Sequence, residues 1–290
     1  MLALSLFARL DVSAASGLVV SAGRFCVIAD DELALAVYES DGRPAARIAL
    51  WPGSLPETHA ERKRAKPDLE ALCELPDGTL LALGSGSTAR RERGARVDIG
   101  GRPTVQEIEL APLYRTLRGE FPELNVEGAV VHAGRLWLAQ RGNGQSGSNG
   151  VIELDLSGVV SGLRRGVISA DGLLRVHRVV LGEADGVALG LTDLAADARA
   201  GLLFSAAAED THNTYDDGAC TGSVVGRLGE DGRVQGAQRV DTSCKIEGLA
   251  AVANDGAAID LWLVADPDDR TRPAPLYRAR YELPIRSPGR

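Results

Sequence analysis

Residues 126–141 read Val126-Glu127-Gly128-Ala129-Val130-Val131-His132-Ala133-Gly134-Arg135-Leu136-Trp137-Leu138-Ala139-Gln140-Arg141. Two apolar runs flank Ala133-Gly134, a dipeptide suited to a tight hairpin. An acid stands near the start of the first run, and Gln140-Arg141 closes the second. The same pattern recurs along the chain, which makes an internal repeat the first thing to test. It runs from Leu69-Glu70-Ala71-Leu72 to Leu80-Leu81-Ala82-Leu83-Gly84-Ser85. It returns from Thr192-Asp193-Leu194-Ala195 to Leu202-Leu203-Phe204-Ser205-Ala206, and from Ile246-Glu247-Gly248-Leu249 to Leu261-Trp262-Leu263-Val264-Ala265-Asp266. A weaker copy runs from Ser16-Gly17-Leu18 to Val27-Ile28-Ala29-Asp30.

Aligning Ser16, Glu70, Glu127, Asp193 and Glu247 gives spacings of 54, 57, 66 and 54 residues, so 290 residues hold five units. Each unit carries two more strand-like runs, such as Leu33 to Tyr38 and Ala45 to Leu50 in the first. The fifth is one strand short, because only Pro275 to Leu283 follows Ala265. The first dozen residues form a strand with no unit of its own. Leu2 to Val12 is therefore expected to close the last blade, a device by which ring folds protect their edges. The expected fold is all-β: a five-bladed β-propeller over residues 1–290 as one domain. The alternative is a six-bladed ring with a degenerate blade, although Leu50 to Lys66 is unsuited to hold one.

Hydrophobic residues at 44% supply a sizeable core, but aromatics at 4% leave Ala, Val and Leu to pack it. The net charge of −8 argues against nucleic acid as a partner. The one basic cluster, Glu61-Arg62-Lys63-Arg64-Ala65-Lys66, reads as a solvated loop. No apolar run approaches the roughly 20 residues that cross a bilayer, so no membrane partner is expected. Arg9 and Asp11 break up the apolar start, which reads as a strand and not as a signal peptide. Cys26, Cys73, Cys220 and Cys244 have no CxxC spacing and read as free thiols in a reducing, cytoplasmic setting.

In a propeller the first strand of each blade lines the channel. The loop entering that strand and the loop leaving the second strand lie on one face of the ring. That face gathers Lys66, Asp68, Glu70, Asn125, Glu127, Thr192, Asp193, Lys245 and Glu247 from the entering side. The leaving side supplies Asp30, Ser85, Arg90, Arg91, Gln140, Arg141, Asn143, Glu209, Asp210 and Asp266. Glu70, Glu127, Asp193 and Glu247 recur at one repeat position, so they are expected to converge on the axis. Converging acids repel and need a cation or basic partners. Lys66, Arg90, Arg141 and Lys245 can supply charge, and a Ca²⁺ ion, which takes six to eight oxygens, can supply the rest. Asp210 to Gly218 fits no EF-hand pattern, and its His212 is a candidate acid/base. No nucleophile elbow supports a serine hydrolase, and His132 and His177 lack zinc spacing.

The strands Asp68-Leu69-Glu70-Ala71-Leu72, Asn125-Val126-Glu127-Gly128-Ala129 and Lys245-Ile246-Glu247-Gly248-Leu249 resemble the D-x-E-G-L inner strand of phytase-like and esterase-like bacterial propellers. The resemblance implies calcium in the channel at Glu70, Glu127 and Glu247, with Asp193 as a variant and Ser16 outside the pattern. It fixes no reaction, because fold does not imply function.

The expected function is hydrolysis of a phosphoester or ester in a small polar or anionic molecule at the channel mouth. Glu70, Glu127, Glu247 and His212 are the candidate catalytic residues. Lys66, Arg90, Arg141, Asn143, Lys245 and Asp210 are expected to hold the substrate, and Glu70, Glu127, Asp193 and Glu247 a metal. The alternatives are a propeller glycosidase using paired carboxylates and a non-catalytic ligand-binding or protein-interaction propeller. A catalytic site should hold a carboxyl with a raised pKa beside a second acid, and a binding scaffold should neutralise every acid.

Overall fold

Short runs rich in Val, Ile and Leu, punctuated by Gly and Asp, favour short antiparallel strands joined by hairpins. The computed structural model describes residues 1–142, 147–210, 219–242, 244–252 and 258–283. Strand β1 (Ser5–Leu10) precedes the first blade, which is β2 (Ala15–Ser21), β3 (Arg24–Ala29), β4 (Ala34–Tyr38) and β5 (Pro44–Ala49). The second blade is β6 (Leu69–Glu74), β7 (Leu80–Gly84), β8 (Arg93–Asp98) and β9 (Thr104–Glu109). The third is β10 (Val126–His132), β11 (Arg135–Gln140), β12 (Asn149–Asp155) and β13 (Leu173–Val179). The fourth adds a two-residue strand, β14 (Glu183–Ala184), before β15 (Val187–Asp197), β16 (Gly201–Asp210), β17 (Ala219–Leu228) and β18 (Val234–Arg239). The fifth is β19 (Lys245–Val252), β20 (Ala258–Asp266) and β21 (Ala274–Glu282), with β1 beyond β21.

The fold is thus a five-bladed β-propeller, and the N-terminal strand completes its last blade. β1 runs antiparallel to β21, from Ser5 opposite Arg278 to Leu10 opposite Ala274. Leu2 reaches further. Its N–H donates to the Arg239 carbonyl at 2.8 Å, and its own carbonyl accepts from Asp241 N–H at 3.1 Å, so the first residues also tie down the fourth blade. Five apolar clusters fill the five gaps between blades. At two of the hairpins that follow inner strands, Ala22-Gly23 and Ala133-Gly134 both have φ positive, the primed turn that matches strand twist.

Three short helices were not expected from the sequence: α1 (His59–Ala65), α2 (Ala111–Leu117) and α3 (Leu156–Leu163). Asp155 caps α3 by accepting the Gly158 N–H at 3.0 Å. α2 buries Leu113, Tyr114 and Leu117 between the second and third blades. α1 replaces the expected solvated loop. Arg62 donates to the Asp31 carbonyl at 2.7 Å, and the Lys63 carbonyl accepts from Arg91 at 3.1 Å. The helix is therefore held against the polar face of the ring. Among the described residues no helix is long and apolar enough to cross a membrane.

Removing residues 1–12 strips three buried side chains, Leu2, Leu10 and Val12, each worth about 1.5–3 kcal/mol, and bares the β21 edge. The truncated protein should melt well below the full chain or aggregate. A soluble truncation with an unchanged melting temperature contradicts the closure.

Candidate functional site

All five inner strands carry a β-bulge at the same place. The register against the second strand slips between Ala15 and Gly17, Leu69 and Ala71, Val126 and Gly128, Leu191 and Asp193, and Ile246 and Gly248. The skipped residues are Ser16, Glu70, Glu127, Thr192 and Glu247. A bulge re-aims the extra residue out of the pleat. Four of the five, Thr192 excepted, line one cavity of about 50 Å³ at the charged end of the channel. Further along the same strands, Leu18, Leu72, Leu194 and Leu249 line an apolar opening of about 210 Å³. Glu74 is the charged residue lining that opening, so charge is concentrated at the other end.

The bulges correct one alignment. Thr192, not Asp193, is the fourth-blade equivalent of the glutamates. Thr192 donates to Ser205 Oγ at 2.9 Å in the interior. Asp193 sits one residue later and does not face the cavity. Its carboxylate accepts backbone N–H groups from Leu194 and Leu249, both at 2.7 Å, and from Ala129. It stitches the inner strands of three consecutive blades, with both oxygens engaged by backbone. Burial pushes its pKa up, while the three donors pull against that shift.

Arg141, at the end of β11, is the centre of the charged cluster. Its guanidinium reaches Glu127 at 3.2 Å, Glu209 at 2.8 Å and Glu247 at 3.4 Å. Lys245 joins Glu209 at 3.3 Å, Glu247 at 3.1 Å and Asp268 at 3.6 Å. A second group lies alongside. Lys66 bonds Asp30 and, at 2.9 Å, Asp68, which also takes Arg91 at 2.7 Å and Ser85 Oγ at 2.6 Å. Burial works against the charge on Lys66, but Asp30 and Asp68 outweigh it and keep it protonated.

Glu127 is held on both oxygens, by Asn125 at 2.5 Å and by Arg141. Burial, with Glu247 adding to it, still lifts its pKa to about 8 against the pull of Arg141. Among the described residues Glu70 has no hydrogen-bond or ion-pair partner. Burial and then the charge of Glu127 hold its carboxyl well above the usual range. Asp266 rises to about 8 through burial. The lining holds seven carboxyls (Asp30, Asp68, Glu70, Glu127, Glu209, Glu247 and Asp266) and five bases (Lys63, Lys66, Arg91, Arg141 and Lys245).

Of the expected site residues, Glu70, Glu127, Glu247, Lys66, Arg141 and Lys245 meet at the cavity. Arg90 does not. It is exposed, and Arg91 points in instead, because the turn Ala89–Arg91 is a single 3₁₀ turn with Arg91 buried. Asn143, His212 and the Asp210 side chain lie outside the described residues. Asp30, Asp68, Glu209 and Asp266 belong to the cluster although none was singled out. Their signal was position alone, at strand ends on the charged face. The calcium quartet finds no support in its fourth member, since Asp193 is consumed by backbone. The carboxyls of Asp30, Asp68 and Glu70 do have ligand atoms within 4.8 Å of one another.

Residues 11–281 match the family of unknown function DUF6929, and the chain belongs to it. No curated protein matches the chain. Among solved structures it is similar to an exo-1,5-alpha-L-arabinanase from a bovine ruminal metagenomic library, at 11% identity and TM-score 0.45, covering 97% of this chain and 96% of that one. A GH43 endo-arabinanase from Bacillus licheniformis gives 9% and 0.44 over 94% and 96%. A luciferin-regenerating enzyme gives 13% and 0.44 over 94% and 80%. At these identities none of them bears on activity.

The folded protein holds the Glu127 proton more tightly than the unfolded chain does. That stability is present in full below the ordinary Glu range and is lost as pH rises toward about 8. Denaturant melts should show stability falling across this interval, with a shallower slope in Glu127→Gln; an unchanged slope contradicts the assignment. Arg141→Leu leaves Glu209 and Glu247 without one of their two bases and Glu127 without its guanidinium contact, and should cost about 3–5 kcal/mol at neutral pH. A smaller loss in acid would follow from protonation of those acids, and a neutral-pH cost near zero would contradict the central role of Arg141.

Proposed function

We propose that this member of the family is a hydrolase acting on an ester or phosphoester of a small polar molecule at the channel mouth. The observation that carries the reading is Glu70, a buried carboxyl with no hydrogen-bond or ion-pair partner among the described residues, in a cavity where Asp30, Asp68, Glu127, Glu209 and Glu247 are ion-paired. A cavity of about 50 Å³ admits a reacting group and a water, not a whole substrate. The bulk of the molecule would stand outside, and the group to be cleaved would enter.

Glu70 is suited to general acid work. Burial and the neighbouring Glu127 raise its affinity for a proton, and among the described residues no group bonds its carboxyl. It would protonate the leaving oxygen and, once ionised, accept a proton from the attacking water. Glu127, beside it and clamped by Asn125 and Arg141, would tighten the hold on that proton once it is itself ionised. Lys66 and Lys245 would orient an anionic substrate group, drawing on charge that Asp30, Asp68 and Glu209 now balance. Four free cysteines fit a reducing, cytoplasmic setting.

A second reading, in which a divalent cation such as Ca²⁺ assists, is favoured by the spacing of Asp30, Asp68 and Glu70. These three would supply part of its oxygen shell, and the cation would have to displace Lys66 from Asp30 and Asp68. The cation would add electrophilic polarisation of the substrate.

The test is a screen of aryl esters, phosphomonoesters and aryl glycosides with wild type and Glu70→Gln, with calcium or chelator added. Activity should fall by about 10²–10⁴-fold in Glu70→Gln while the melting temperature holds or rises. Loss of activity on chelation would favour the cation, and indifference the acid alone. Full activity in Glu70→Gln, or turnover of none of the three classes, contradicts the proposal.

A further inference from the structure

Trp137, Glu153 and Arg175 stand directly opposite one another across β11, β12 and β13, so they share one face of the third blade. Trp137 packs into the core between the third and fourth blades, which identifies that face as the one turned toward the fourth. Next to Trp137 along the strands, Ala139 and Val151 continue that core. At the row itself the two blades part around a cleft of about 570 Å³, in the size range of small-ligand sites. Its far wall is Glu230 and Asp231, in the turn between β17 and β18.

Trp137 is 2% exposed, and its buried Nε1–H has no hydrogen-bond acceptor among the described residues. A buried donor left without an acceptor is destabilising, and indole N–H groups usually find one. His177 stacks on Trp137 with centroids 6.2 Å apart, and its buried Nε2 makes no hydrogen bond and stands 3.8 Å from Glu153. Arg135 takes up the acid on its own wall, reaching Glu153 at 3.1 Å and Asp155 at 3.2 Å. Arg175 is left as the wall's cation without an ion-pair partner among the described residues. Glu230 opposite has no partner among the described residues, and Asp231 meets only the exposed Arg233. Two walls of opposite charge thus face one another with no ion pair across the gap. Leu174, 45% exposed, supplies an apolar surface at the same cleft.

We propose that this cleft binds a small zwitterion of the amino-acid or short-peptide class. The carboxylate would accept from Arg175, in the cleft that Trp137 also lines. The ammonium would sit against Glu230 and Asp231, and an apolar side chain would cover Leu174. The site is separate from the channel cavity and does not depend on the hydrolase reading.

Trp51, Trp137 and Trp262 are the three tryptophans of the chain. Replacing Trp51 and Trp262 by Phe leaves Trp137 as the sole indole, whose emission can be titrated with leucine, with the dipeptide Gly-Leu, and with acetate and ethylamine as half-ligands. Calorimetry on the unsubstituted protein repeats the titration should the double variant fold poorly. A saturable response to the zwitterions at millimolar concentration or below is expected, with the tighter of leucine and Gly-Leu identifying the source. Each half-ligand should bind about tenfold more weakly or worse, as should both zwitterions to Arg175→Ala or Glu230→Ala. Both of those side chains are exposed, so the fold should survive their loss. No saturable response to either zwitterion, or binding retained in both variants, overturns the site.

Discussion

The five inner strands crowd one axis, and that crowding governs the rest of the molecule. A Cβ on Gly128 would lie 2.6 Å from the Asp193 Cα, and one on Gly248 would lie 2.9 Å from the Leu18 backbone nitrogen. Small residues therefore follow the glutamates where the strands come closest. The bulge just before them inserts one residue into each inner strand and turns it toward the channel. Without that insertion strict alternation would send Glu127 and Glu247 to another side of the strand. Asp193, in the position that Gly128 and Gly248 hold elsewhere, uses the same closeness differently, with its carboxyl accepting from Ala129 and Leu249 on the neighbouring inner strands.

Turning acids inward creates a charge problem that the second strands solve. Arg141 leaves the end of β11 and Glu209 lies near the end of β16, so the network closes between blades and not within them. Buried ionic networks contribute little net stability, because desolvation offsets most of their attraction. The five inter-blade cores hold the ring together. The charged end is better understood as a device for setting proton affinities, and the two partnerships differ in kind. Glu127 is fixed on both oxygens, whereas among the described residues nothing fixes either oxygen of Glu70. The same burial acts on both, and the missing partner is what leaves Glu70 chemically available.

The ring was legible because its evidence is arithmetic: five copies, four strands each, and one strand displaced from the last copy to the start. Three helices escaped because they lie in connections, where no period repeats, and α1 was concealed by charges that read as solvent-facing. The site was half legible. Glu70, Glu127 and Glu247 announce themselves as acids within apolar strands. Thr192 does not, because Asp193 beside it offered a better chemical match, and a bulge cannot be seen in sequence. Arg91 was passed over for Arg90 for a related reason: which of two adjacent arginines turns inward depends on one short turn. Asp30, Asp68 and Glu209 carry no signal beyond their place at strand ends, so only the fold brings them together.

The state of Glu70 at neutral pH is the point on which the channel account turns. Infrared difference spectroscopy between wild type and Glu70→Gln, with the substrate-free proteins in heavy and light water, reads it directly. The account predicts a protonated carboxyl C=O band that shifts on deuteration, is lost in Glu70→Gln, and persists to well above the ordinary Glu range. A carboxylate band for Glu70 at neutral pH, titrating where an exposed glutamate does, would contradict it.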